Sequence, residues 1–153
     1  MKKLLIVSHT PSANTLVMTK AVIDGASHAD IGGIEVCLTK PLETGPGDVL
    51  AANAIILGTT ENFGYMSGAM KDFFDRIYYP CLEKTESMPY AMFIRAGNDG
   101  LGARRSIERI TKGLAWKPVQ EPLICCGTWQ ASFPDQCEEL GMTVAAGLEA
   151  GVF

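Results

Sequence analysis

Short apolar runs alternate along the chain with longer segments whose apolar residues recur every three or four positions. The run at residues 2–7 predicts a central strand that is buried on both faces. Further strands are predicted at 34–38, 54–57, 89–94 and 122–126, with the alternating run at 34–38 nearer an edge. The segments between them predict helices, except that residues 41–47 predict a loop and residues 48–52 at most a short helix. The chain therefore reads as a strand–helix unit repeated five times, which implies a parallel sheet with helices on both faces.

The clearest helix begins near Ser67 and is predicted to end at Tyr79 and Pro80. Its apolar residues share one face because they are three or four positions apart: Met70, Phe73, Phe74 and Ile77. Its charged residues form two i,i+4 pairs: Lys71 with Asp75, and Asp72 with Arg76.

Three other helices follow from the same reasoning. One is predicted over about residues 15–27. A second has its inward face at Ala103, Ile107, Ile110 and Leu114. The last starts with Ser132 as its N-cap, and its inward face comprises Cys137, Leu140, Val144 and Leu148.

Residues 58–68 are the stretch most typical of a binding site. They contain glycines, hydroxyl groups and the aromatic residues Phe63 and Tyr65, and they lie between a predicted buried strand and a helix start. Glycine lets the backbone approach a ligand closely, and free amides can donate hydrogen bonds to it. The aromatic side chains could stack on a flat ring.

A second polar stretch, residues 8–15, follows the first strand. It holds four hydroxyl side chains and one asparagine, and a helix begins within it. Free N–H groups, the helix dipole and side-chain donors can converge there on an anion. The alternative is a hydroxyl-rich N-cap that serves only the helix.

Composition limits the classes of protein. With 153 residues, 47% of them hydrophobic and 20% charged, the chain has the size and composition of one globular domain, residues 1–153. A net charge of −4 without a basic stripe argues against a nucleic-acid partner. No apolar run is long enough for a signal peptide or a membrane span, so we expect a cytoplasmic protein with no membrane partner.

The five cysteines are an odd number and contain no C-x-x-C spacing. We therefore expect reduced thiols, and neither a zinc site nor an iron–sulfur cluster. The neighbours Cys125 and Cys126 fall in a predicted strand and are expected to be core thiols.

Residues 58–76, GTTENFGYMSGAMKDFFDR, resemble the ring-binding loop and following helix of the flavodoxin-like FMN proteins. That family includes NADPH-dependent FMN reductases, quinone reductases of the tryptophan-repressor-binding-protein type and iron–sulfur flavoproteins. The match is close from Gly64 onward and departs at Thr60 and Glu61, where the family has a proline in the first turn. The absence of C-x-x-C disfavours the iron–sulfur branch.

The resemblance implies a flavodoxin-like, three-layer αβα fold. Its five-stranded parallel sheet is doubly wound, with strand order 2-1-3-4-5 and right-handed crossovers. A crevice then opens between the carboxyl ends of strands one and three, an arrangement for which flavodoxin with FMN is the standard example. Residues 8–15 and 58–68 follow these same two strands.

The resemblance also assigns residues to FMN. The phosphate would be held by residues of the first polar stretch: Ser8, Thr10, Ser12, Ala13, Asn14 and Thr15. The flavin ring would lie against Thr59, Thr60, Glu61, Asn62, Phe63, Gly64 and Tyr65. The loop after strand four would border the ring through Ala96, Gly97 and Asn98. No catalytic side chain and no metal ligand are predicted, because FMN carries the redox chemistry.

Two ionisable residues and one group of arginines near these loops allow more than one interpretation. His9 is expected to contact the phosphate or face solvent rather than act as a general base. Glu61 is expected to face solvent; facing the ring, its charge would make the flavin harder to reduce. Arg104, Arg105 and Arg109 form either a solvated helix face or a docking patch for a phosphate-bearing nicotinamide cofactor.

The implied activity is that of an NAD(P)H-dependent flavin or quinone reductase, acting as a homodimer on a small-molecule electron donor and acceptor. The alternative is an electron carrier of flavodoxin type without enzymatic activity. The chain lacks the strongly acidic surface expected of a carrier that docks basic partners, which favours the reductase. A signalling receiver is disfavoured, because the acidic pair, aspartate and lysine it needs are replaced by Ser8-His9, Gly58 and Gly127. No G-x-S-x-G hydrolase motif occurs.

Overall fold

The computed structural model describes residues 1–153. Its strands are β1 (Lys2–Ser8), β2 (Ile34–Thr39), β3 (Ala54–Asn62), β4 (Tyr65–Met66), β5 (Pro89–Ala96), β6 (Lys117–Pro118) and β7 (Leu123–Cys126). Its α-helices are α1 (Ala13–Ala26), α2 (Pro46–Leu50), α3 (Gly68–Cys81), α4 (Leu101–Gly113) and α5 (Ser132–Ala150). A 3-10 turn covers Pro41–Glu43.

The main sheet is parallel and has the order β2-β1-β3-β5-β6, with β7 also paired to β5. The predicted α/β fold is confirmed, and the first four positions follow the predicted order. The fifth position is shared by two short strands, β6 beside the start of β5 and β7 beside its end. Pro122, which lies between β6 and β7, has no N–H to donate to the ladder.

Two apolar layers cover the two faces of the sheet. One contains Leu5, Val7, Ile55 and Leu57 and packs on α2, α3 and α4. The other contains Leu4, Ile6, Ala54 and Ile56 and packs on α1 and α5. Successive strand residues point to opposite faces, so β1 and β3 contribute to both layers. This is the burial that their continuous apolar runs predicted.

Several element boundaries differ from the prediction. Helix α1 begins two residues earlier, at Ala13. Pro80 lies inside α3, which continues to Cys81; in the last turn a proline removes only one intrahelical hydrogen bond. Ser132 is the first residue of α5 rather than its N-cap, a position that Ala131 occupies without a side-chain hydrogen bond.

The largest difference concerns residues 58–68, predicted as a loop. Strand β3 continues through Asn62, turns at two residues and returns as the antiparallel strand β4. The turn residues Phe63 and Gly64 have φ of 52° and 70°. Positive φ at both central residues is characteristic of a type I′ turn, whose twist matches that of the flanking strands. We call residues 59–66 the hairpin.

The cysteines are all free, and only one of the two neighbours expected in the core is buried. Cys125 is fully buried, whereas Cys126 is exposed, because alternate residues of β7 face opposite sides of the sheet. No three histidine, cysteine or acidic side chains lie close enough together to hold a metal ion. None of the helices is long and apolar enough to cross a membrane.

Candidate functional site

The carboxyl ends of β1, β3 and β5 lie side by side at one edge of the sheet. Ser8 is opposite Gly58 in the register, and Gly58 is opposite Phe93. The amide of His9 donates to the carbonyl oxygen of Gly58 at 2.9 Å, which fixes the start of the β1–α1 loop to β3. The three stretches predicted to bind one ligand therefore begin at adjacent strand ends.

Ser12 and Thr15 form a capping box at the start of α1. The Ser12 hydroxyl accepts from the amide of Thr15 at 3.2 Å, and the Thr15 hydroxyl accepts from the amide of Ser12 at 3.1 Å. Both side chains therefore serve the helix N-terminus, as the N-cap interpretation predicts. The Thr15 hydroxyl also donates to the carbonyl oxygen of Ser12 at 2.9 Å, and the predicted contact of these two residues with a phosphate stays a prediction.

Ser8 contacts helix α1 through its side chain. Its hydroxyl is buried and lies 2.8 Å from the hydroxyl of Thr19 on α1, so the side chain points into the protein. This pair holds α1 against β1. The predicted contact of Ser8 with a phosphate stays a prediction.

Other donors of the β1–α1 loop are free. The amides of Thr10, Ala13 and Asn14 have no acceptor within the protein, as expected at a helix N-terminus. The Asn14 side chain is exposed and that of Thr10 is half-buried. Free amides at the positive end of a helix dipole favour a bound anion.

A cleft of about 240 Å³ lies beside this loop. It is lined by Ser8, His9, Thr10, Pro11, residues 40–43 and Ala69 of α3. Burial lowers the pKa of His9, because removing an imidazole from water disfavours its charged form. Lys40 is the remaining basic residue at the rim.

The hairpin presents an aromatic side chain at its tip. Phe63 is fully exposed, with 108% relative accessibility, and Tyr65 is partly exposed. At its base, the buried Thr59 hydroxyl accepts from the amide of Ser67 at 3.0 Å. Thr60 and Asn62 hydrogen-bond to each other through their side chains. The surface available to a ligand on this element is therefore aromatic at the tip and polar along the strand.

Three contacts hold the hairpin against α4. The Glu61 carboxylate accepts from the amides of Gly100 at 3.3 Å and Ala103 at 3.4 Å. The Ser106 hydroxyl accepts from the amide of Met66 at 3.1 Å. The backbones of Gly64 and Gly102 also touch, so closely that a Cβ on Gly102 would overlap the Gly64 carbonyl.

Glu61 was expected to face solvent or the ring, and this expectation is wrong. Its side chain caps α4, whose own N-cap residue is Gly100 and offers no side chain. The negative carboxylate at a helix N-terminus is electrostatically favourable. Glu61 thereby fixes the hairpin to the loop that precedes α4.

The loop after β5 contributes the last predicted residues. Ala96 is buried at the end of β5, whereas Gly97 and Asn98 are exposed beside the hairpin. The Asn98 side chain makes no hydrogen bond within the protein, and Gly97 has no side chain. They therefore border the site without being fixed in it.

Arg95 is a site-forming residue that the sequence analysis missed. Its guanidinium donates to the carbonyl oxygens of Ala96, Cys125 and Gly127 at 2.7–3.0 Å. It also lies 5.8 Å from the ring centroid of Trp129 and 5.4 Å from that of Phe133. Arg95 thereby ties the loop after β7 to the end of β5. No local sequence pattern predicts this role, because two of its three acceptors, Cys125 and Gly127, are 30 and 32 residues away.

The chain resembles known proteins in both its sequence and its fold. No protein-family model matches the chain. It is 32% identical over 100 residues to an NAD(P)H dehydrogenase (quinone) of Archaeoglobus fulgidus, covering 49% of this chain and 51% of that protein. It is 36% identical over 77 residues to a flavodoxin of Aquifex aeolicus, covering 50% of this chain and 40% of that protein. The matches thus span about half the length of these curated relatives.

Solved structures of flavodoxin-like proteins superpose on almost the whole chain. An archaeal flavodoxin superposes with a TM-score of 0.81 at 19% identity, covering 95% of this chain and 98% of that one. A WrbA-like flavodoxin protein from Agrobacterium tumefaciens gives a TM-score of 0.73 at 17% identity, covering 98% and 99%. At these identities the likeness concerns the fold. With the parallel sheet and its strand order, it shows that the chain has the flavodoxin-like fold.

Proposed function

We propose that this chain binds FMN and acts as an NAD(P)H-dependent flavin or quinone reductase. The observation that carries the proposal is the hairpin. It presents the exposed Phe63 at its tip, and its strand β3 is paired with β1, whose end leads into the free amides of the β1–α1 loop. A ligand with an anionic end and a flat ring matches both features, and FMN has this chemistry.

The residues at the phosphate end fit an anion without a metal or a lysine contact. The free amides of Thr10, Ala13 and Asn14, with the Asn14 side chain, would hold the phosphate. Ser12 and Thr15 support it indirectly, since their capping box fixes the first turn that presents these amides. Preorganised donors need no rearrangement when the ligand binds.

The residues at the ring end fit a flat, partly polar group. Phe63 and Tyr65 offer aromatic surface, and Thr60 and Asn62 offer polar side-chain atoms. Gly97 and Asn98 would border the opposite side. Glu61 is bound to α4, so its charge is compensated by that helix and no longer argues for a flavin that is hard to reduce.

When bound, FMN supplies the hydride and electron transfer chemistry. This chain's residues supply its position. The contacts between the hairpin and α4 keep Phe63 in place, and Arg95 fixes the neighbouring loop. We assign no acid or base: the nearest imidazole, His9, lies in the cleft at the phosphate end rather than at the hairpin tip.

The names of the curated relatives support two candidates. One relative is named as a quinone dehydrogenase that uses NAD(P)H, and the other as a flavodoxin. An electron carrier is therefore the second candidate. The chain's net charge of −4 is small, and α4 has four basic residues and one acidic residue. This surface suits a small anionic donor better than a basic protein partner, and it favours the reductase.

The test is an anaerobic absorption spectrum of the FMN-reconstituted protein after addition of NADPH and then NADH. Rapid bleaching of the flavin band is expected and would support a reductase. A flavin that only dithionite reduces, through a stable semiquinone, would instead support the carrier. Absence of FMN binding would contradict both candidates.

A further inference from the structure

Helix α4 carries a concentration of positive charge in an acidic chain. It has four basic residues and one carboxylate, whereas the whole chain has a net charge of −4. Arg104 is neutralised by Glu108 at 3.1 Å and lies 3.8 Å from Glu121. Arg105 and Arg109 are one turn apart, exposed, and form no ion pair. Like charges at this spacing destabilise a helix by a few tenths of a kcal/mol, so their placement has a cost to folding.

These two arginines line a cleft between α4 and the hairpin. The cleft has a volume of about 570 Å³ and is lined by Gly64, Tyr65, Lys71, Gly102, Arg105, Ser106, Arg109 and Ile110. Lys71 approaches from α3 and is paired with Asp75 at 2.6 Å. The uncompensated charge in the cleft therefore belongs to the arginines. Its volume lies in the range of small-molecule sites.

The chemistry of the lining suits a phosphorylated nucleoside. Guanidinium groups bind phosphate through paired N–H donors. Tyr65 is partly exposed and adds an aromatic surface on which a base can stack. A concave cleft with an aromatic wall accommodates a nucleotide better than the convex surface of an acidic protein.

We propose that this cleft binds the phosphorylated adenosine end of a 2′-phosphorylated nicotinamide dinucleotide, so that the donor is NADPH rather than NADH. The inference rests on the proposed reductase function. Gly64 and Tyr65 belong both to the hairpin assigned to the flavin ring and to this cleft. The hairpin thus connects the cleft that would bind the 2′-phosphate with the flavin ring to which the nicotinamide end would transfer its hydride.

The test measures binding of adenosine 2′,5′-bisphosphate and of 5′-AMP to the FMN-reconstituted protein by calorimetry. We expect the bisphosphate to bind at least about tenfold more tightly, equivalent to about 1.4 kcal/mol. The variants Arg105→Gln and Arg109→Gln should each reduce that preference several-fold. Lys112→Gln is the matched control, since Lys112 is an exposed cation of the same helix that does not line the cleft.

The outcomes separate this inference from the proposed function. Equal binding of the two nucleotides would overturn the inference. So would a loss of the bisphosphate preference in the Lys112→Gln control as large as that in the arginine variants. Flavin reduction that is as fast with NADH as with NADPH would also overturn it and leave the reductase intact. A bisphosphate preference that depends on the arginines, in a protein whose flavin NADPH does not reduce, would support the cleft and contradict the reductase. If Arg105→Gln and Arg109→Gln left nucleotide binding unchanged and altered only the salt dependence of flavin reduction by an acidic protein, the cleft would be a protein-docking surface. That result would overturn the inference.

Discussion

Phe63 combines full solvent exposure with a φ of 52°. An aromatic residue in the left-handed region is strained by about 1–3 kcal/mol. Because the Phe63 side chain is exposed, no hydrophobic burial offsets this strain. Asparagine is favoured at this position of a type I′ turn before glycine. Phe63 therefore destabilises the turn but gives the hairpin tip an aromatic surface.

We expect Phe63→Asn to stabilise the protein by roughly 0.5–1 kcal/mol through relief of turn strain. The same change should weaken FMN binding about tenfold, because the ring loses its aromatic neighbour. Thermal unfolding without FMN and fluorescence titration with FMN measure the two effects. Tyr79→Ala, at an exposed aromatic position of α3, is the control. Unchanged FMN affinity in Phe63→Asn would remove the hairpin from the site.

His9 gives a second test at the residue scale. Burial lowers its pKa in the folded protein, so the folded state favours the neutral imidazole. The resulting stability is present above the unfolded-state pKa of about 6.5 and is lost as the pH falls below it. A bound phosphate would act in the opposite direction, since a neighbouring negative charge favours the imidazolium.

We therefore expect FMN to raise the pKa of His9, measured by NMR titration of the imidazole resonances. Riboflavin, which lacks the phosphate, should leave the pKa of His9 unchanged. The chain has only two histidines, and His28 follows the opposite end of α1. Its resonances should not respond to either ligand. A pKa of His9 that is insensitive to FMN would place the phosphate elsewhere.

At the scale of elements, the hairpin and α4 act as one unit. Glu61 caps the helix, Ser106 binds the amide of Met66, and the backbones of Gly64 and Gly102 are in contact. The sequence analysis predicted a site in residues 58–68 but treated it as a loop. Period-two patterning is too short there to reveal a strand, and the contacts that stabilise it come from residues about 40 positions away.

The contact between Gly64 and Gly102 can be tested by Gly102→Ala. The added Cβ would overlap the Gly64 carbonyl, so we expect a loss of about 1–3 kcal/mol in the free energy of unfolding. Chemical denaturation provides the measurement. Gly68→Ala is a matched control, because Gly68 also lies in the first turn of a helix but has open space around its Cα. That variant should be neutral or stabilised by up to about 1 kcal/mol. Equal stability of the two variants would show that the hairpin is not held against α4.

At the scale of the whole molecule, one sheet separates two apolar layers and places its functional loops at a single edge. β1 and β3 are central in the order β2-β1-β3-β5-β6, and both are buried on their two faces. Helices α1 and α5 cover one face, and α2, α3 and α4 cover the other. The charge is also unevenly distributed, since α4 is strongly basic within an acidic chain.

The sequence by itself determined the alternation of strands and helices, the buried faces of α3 and α5, and the two stretches from which we predicted the site. These properties depend on local periodicity and composition, so they can be predicted from residues that are close together in the chain. Only the tertiary structure decided the hairpin, the capping of α4 by Glu61, the anchoring of the β7 loop by Arg95 and the divided fifth strand. Each of these depends on a hydrogen bond, or on the lack of one, between residues far apart in the chain. Such pairings exist only once the strands have taken their places in the sheet.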